Sequence, residues 1–126
     1  MSRSLFLTIV AIIALLFGGM MFLSPSSATS AFKMTGNNET AILFRVLGAT
    51  VLPLALLNFL VRNHPASETL KAVLWSNVGI HVLSLGVDIW VATTGQLPIA
   101  GVAPGIVAHI FIAAGSLLYI QRMEPS

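Results

Sequence analysis

Four long apolar stretches, residues 5–23, 41–61, 70–91 and 102–120, take up most of this 126-residue chain. Each is long enough to cross bilayer hydrocarbon as a helix, which takes about 20 residues. Four helices of this size have too little mutual contact to cover their apolar surface, so lipid must cover the rest. The expected class is therefore all-α: an integral membrane protein built as an up-down antiparallel bundle of four transmembrane helices. The spans are expected at about residues 4–23, 40–62, 68–93 and 102–121, in one domain covering residues 1–126. Short connections favour antiparallel neighbours. Only the first, residues 24–40, is long, and its Ser, Thr, Asn and Gly content reads as a loop.

Composition narrows the function classes. Hydrophobic residues make up 56% of the chain and charged residues 8%, against about 45–50% apolar in soluble domains. Mean hydropathy is +0.94 and the pI is near 9.7. That basicity comes from six Lys and Arg residues scattered near helix ends with no basic run, which reads as topology-setting charge and not as a nucleic-acid surface. With no cysteine there is no disulfide, thiol nucleophile or thiolate metal site.

Charge placement sets the expected orientation. Arg3, Arg62, Lys71 and Arg122 fall at one end of the spans, whereas the other end carries only Lys33. By the positive-inside rule both termini are expected in the cytoplasm, in a multi-pass protein of the inner membrane. The first segment shares features with a cleavable signal peptide: Arg3, an apolar run, and a small-residue stretch around Ala28. Its 19-residue run is longer than the roughly 7–15 of a signal core. Gly18 and Gly19 also suit helix packing, so a retained helix is expected.

Helix ends carry recognisable signals. Asn37, Asn38 and Glu39 supply a cap and an early acid for the second span, and Ser67 with Glu68 does so for the third. Gly95 is placed to end the third. Pro104 is expected in the first turn of the fourth, where its missing N–H costs little. Pro53 is mid-span, and frees the carbonyl of Ala49. Trp90 and Tyr119 read as interfacial belt residues, while Trp75 is expected to face lipid or a neighbouring subunit.

Polar residues inside the spans are the candidate site. Asn77, His81, Ser84 and Asp88 are spaced four, three and four apart, so they share one helix face. Gly105, His109, Ile112, Ser116 and Tyr119 make a matching face on the fourth span. Arg45 and Asn58 lie on the second. Counted from the outer helix ends, Arg45, Asp88 and His109 lie at ~8–10 Å depth. An ionic or ligand-binding cluster of these three is expected, because an unpaired charge in hydrocarbon costs about 2.5–3.5 kcal/mol.

Cofactors are not expected. Haem held by His81 and His109 is disfavoured because the same counting puts the two rings ~9 Å apart in depth. No metal-ligand spacing is present, and Ser84, Ser116, His109 and Asp88 come without a nucleophile elbow.

Taken together, Leu23-Ser24-Pro25, Phe44-Arg45-x-x-Gly48, Asn77-x-x-x-His81 with Asp88, and His109 followed by Gly115 and Tyr119 resemble small four-helix bacterial inner-membrane proteins of unknown function. The resemblance implies the fold and the membrane location and carries no activity. The leading functional expectation is a structural or accessory subunit, in a homo-oligomer or a larger membrane complex. The first alternative is a binding or transport module for a small or lipophilic ligand. The second is an isomerase-like enzyme or a haem or pigment holder, with no catalytic residue assigned.

Overall fold

The computed structural model describes residues 1–123. Among the described residues there are five helices: α1 (Arg3–Leu23), α2 (Pro25–Ala31), α3 (Asn38–Val61), α4 (Glu68–Thr93) and α5 (Ile99–Gln121). Four of them, α1, α3, α4 and α5, are long and apolar enough to cross a membrane.

Local chemistry accounts for the boundaries. The Ser2 and Ser67 side chains accept from the backbone N–H of Leu5 and Leu70, capping α1 and α4. Asn37 and Thr40 form a reciprocal capping box at α3. Gly95, at φ 72°, takes the left-handed conformation just beyond α4, where a side chain would be strained.

Two boundaries differ from expectation. The segment expected as a loop holds α2, started by Pro25 at its first position, where the missing N–H costs nothing. Thr29 donates back to the Pro25 carbonyl at 2.7 Å, and Ala28 and Thr29 are buried. The fourth span begins at Ile99, three residues earlier than expected, so Pro104 lies in the second turn of α5. The Ala100 carbonyl thus loses its ladder partner.

Packing is heaviest between α1 and α3 and between α4 and α5, with α1 also touching α5. Glycine sets the first of these distances. A Cβ on Gly48 would stand 2.6 Å from the Phe22 backbone nitrogen and 2.7 Å from the Gly18 carbonyl oxygen, so α1 and α3 meet backbone to backbone. At one end of the bundle lies an apolar core of Phe6, Leu7, Val10, Leu70, Leu74, Val78, Ile112, Tyr119 and Ile120. There the Tyr119 hydroxyl donates to the Met1 carbonyl at 2.7 Å, and its ring packs on Phe6 at 5.2 Å between centroids. Tyr119 is thus a buried core residue, not the belt residue expected. The outer surface is apolar too, with Leu16, Leu60, Leu83 and Val107 each more than 60% exposed.

Candidate ligand-binding site

Three helices bring the polar residues together above the apolar core. The α4 stripe faces inward through Asn77, His81, Ser84 and Asp88, which all border one partly open cavity. Asn58 on α3 and Gly105 and His109 on α5 complete its polar side. Val10, Ile13 and Phe17 of α1, with Ile80 and Ile112, give it an apolar wall. The cavity volume is about 160 Å³. A dry cavity of roughly 150 Å³ holds a benzene-sized molecule.

At the base of the cavity two amides join α3 to α4. Asn77 Nδ2 donates to Asn58 Oδ1 at 2.7 Å, and Asn58 Nδ2 donates to Asn77 Oδ1 at 3.3 Å and to the Leu54 carbonyl at 2.9 Å. Both side chains are buried, at 2% and 4% exposure. Burying an amide without partners costs several kcal/mol in an apolar medium, roughly 4–8 against cyclohexane, so each residue supplies what the other requires. Sequence counting missed this pair. Asn58 lies close to the end of α3 and Asn77 well inside α4, so their levels do not match when each is counted from the turn between them. The available signal was chemical: two lone amides on consecutive apolar helices.

Higher in the cavity the histidines meet. His81 Nδ1 and His109 Nδ1 are 2.7 Å apart, a hydrogen-bond distance, with ring centroids 5.0 Å apart. The expected difference in level disappears because α5 starts at Ile99: His109 is ten residues into α5 and His81 twelve residues before the end of α4. That leaves only ~3 Å between them along the bundle. The direct contact is also shorter than the ~3.3 Å that separates two nitrogens bonded at ~2.0 Å to one tetrahedral metal ion.

The other nitrogen of His109, Nε2, is 3.6 Å from Asp88 Oδ2. This carboxylate oxygen is buried and has no hydrogen-bond partner among the described residues. Gly105 makes room for it: a Cβ there would stand 3.0 Å from Asp88 Oδ2. His81, His109 and Asp88 therefore form a continuous line of polar groups along the α4–α5 side of the cavity.

Arg45 does not join this line. Of the expected trio of Arg45, Asp88 and His109, the structure brings Asp88 and His109 together, with His81 beside them. The inward face of α3 is Phe44, Gly48, Ala55 and Asn58, with Phe44 stacked on Phe32 at 5.6 Å. Arg45 follows Phe44 by one residue, ~100° around the helix, and is exposed. The rest of the α5 stripe is divided. Ser116 is fully buried in the bundle with its hydroxyl unpartnered among the described residues, and Tyr119 belongs to the core. Neither borders the cavity.

Comparison with protein families, curated proteins and solved structures finds no match. The chemistry of the site must therefore be read from its own geometry. Among the described residues no group of three or more His, Cys, Asp or Glu is arranged to hold a metal ion. Both ring nitrogens of His109 face other partners, His81 and Asp88. What the arrangement offers is a small, mostly apolar chamber with hydrogen-bonding groups along one wall.

Proposed function

We propose that this chain is a membrane-embedded, up-down antiparallel four-helix bundle whose interior binds a small lipophilic molecule carrying a hydrogen-bonding group. The observation that carries the reading is the cavity itself: an apolar chamber with His81, His109 and Asp88 converging on one side and an unpartnered carboxylate oxygen among them. Ligand sites have this character, apolar lining with a few placed polar groups. The exposed Leu, Ile and Val surface suits lipid, and Arg45 on the outer face of α3 reaches a polar interface by extending its side chain. Charge bias at the helix ends supports an inner-membrane location with cytoplasmic termini.

Filling the chamber tests this. Ala108 borders it and is partly buried. Ala108→Leu is expected to keep the fold and to weaken saturable binding of 4-nitrophenol by at least about tenfold, measured by dialysis of the full chain in lipid nanodiscs against empty nanodiscs. Unchanged binding in a folded variant would remove the chamber from the account.

A structural or accessory role in an oligomer is a second reading, and one observation favours it. Gly79 and Gly86 lie seven residues apart on the exposed face of α4, with nothing within 4 Å of the position of an added side chain, so a second helix has room to approach. A strictly monomeric protein that co-purifies with nothing in mild detergent would sink it.

A further inference from the structure

We infer that the ligand of this cavity carries an acidic hydroxyl, as a phenol or hydroquinone does, and that His81, His109 and Asp88 take up its proton in relay. The inference rests on the binding role proposed above and names the ligand class for the same chamber. It starts from proton counting. Two neutral imidazoles joined through Nδ1 hold one proton between those two atoms, so one ring donates and the other accepts. The Asp88 carboxylate facing His109 Nε2 favours a proton on that nitrogen. His109 Nδ1 is then the acceptor and His81 Nδ1 the donor. His81 Nε2 is left as a bare acceptor on a ring that borders the cavity, with no partner among the described residues.

A hydroxyl in the chamber completes the line. Its proton passes to His81 Nε2 as the proton on His81 Nδ1 passes to His109 Nδ1 and the proton on His109 Nε2 passes to Asp88 Oδ2. One O–H bond breaks at the ligand and one forms at Asp88, and each ring gains one proton and loses one. The negative charge moves from Asp88 to the ligand oxygen, where the new His81 Nε2–H donates to it. No second charge is created, which matters in an apolar chamber where an isolated ion is heavily penalised. Asp88 and His109 stand 3.6 Å apart, so the last leg needs them to close by roughly 0.7 Å to hydrogen-bond length. The chamber volume suits one aromatic ring, and Ile13, Phe17 and Ile112 give that ring an apolar seat.

The test uses the full chain, labelled with 15N-histidine, in nanodiscs buffered where free 4-nitrophenol stays protonated. Two readouts are taken: the absorbance of the bound probe, which separates phenol from phenolate, and the ring 15N shifts, which report tautomers. His64, in the turn before α4 with its Nδ1 near Ser67, is the internal reference. Bound 4-nitrophenol is expected to absorb as phenolate while His81 and His109 exchange tautomers and His64 does not. Nitrobenzene, which has no proton to give, is expected to bind and leave both tautomers in place. Asp88→Asn removes the final acceptor and is expected to leave the bound phenol protonated. A probe that binds saturably yet stays protonated, with unchanged tautomers, overturns the relay and leaves the binding role standing. If neither probe binds, both fail together.

Discussion

The two ends of this bundle solve opposite problems with the same helices. Near the start of α1, Phe6, Leu7 and Val10 meet Leu70, Leu74, Ile112 and Ile120, all at most 2% exposed. There the Tyr119 hydroxyl donates to the Met1 carbonyl, and at that end the small Ser116 hydroxyl is the one buried side-chain oxygen left unpartnered among the described residues. Toward the α4–α5 turn the same helices hold His81, Ser84, Asp88 and His109 only partly buried around a chamber, with one carboxylate oxygen unpartnered. The lesson concerns rigidity. A closed apolar end fixes the helix register, and only then is the other end free to hold polar groups apart. Proteins place incompletely satisfied polar groups where function requires them and compensate elsewhere.

Substitutions at each end should separate these duties. The largest loss of stability is expected from Phe6→Ala, which empties the space between Tyr119, Phe111 and Gly115. Because lipid is as apolar as the core, the lost packing contacts count for more than the lost burial, and about 2–3 kcal/mol is expected. Reversible unfolding in mixed micelles measures it, and a loss no larger than that of a cavity substitution would erase the contrast between the ends. Next comes the amide pair. Asn77→Leu strands Asn58 and is expected to cost about 1 kcal/mol. The double variant Asn58→Leu with Asn77→Leu should be less destabilised than the sum of the two singles, because neither amide is then left alone. Strict additivity would show that the two do not act as a pair. The smallest effect belongs to Arg45→Ala, expected within about 0.5 kcal/mol in stability and without change in 4-nitrophenol binding. A binding loss there would return Arg45 to the site.

How far the sequence announced this can be judged residue by residue. The four apolar helices were legible because length and hydropathy are properties of the segment alone, and Asn37, Ser67 and Gly95 mark their ends by short-range chemistry. The inward face of α4 was legible from spacing, since Asn77, His81, Ser84 and Asp88 do border one cavity. What failed was reasoning between helices. Depth counting depends on where each helix begins, and placing the start of α5 at residue 102 separated two histidines that are in contact. Arg45 was judged by depth alone, although depth says nothing of azimuth. Its neighbour Phe44 takes the inward position by stacking on Phe32, a residue at the end of a short helix the sequence did not reveal. The Asn58–Asn77 pair was hidden for a related reason: the turn between α3 and α4 does not leave the two helix ends level.

Gly105 gives the chamber its ceiling. Because it has no side chain, the volume beside Asp88 is set by an omission, and the first methyl added there would press on the carboxylate oxygen at 3.0 Å. This position is thus a dial: alanine, then valine, would act as inhibitors tethered to the wall, graded in size and blind to concentration. A series built at that one site would measure how much room the proposed occupant takes up.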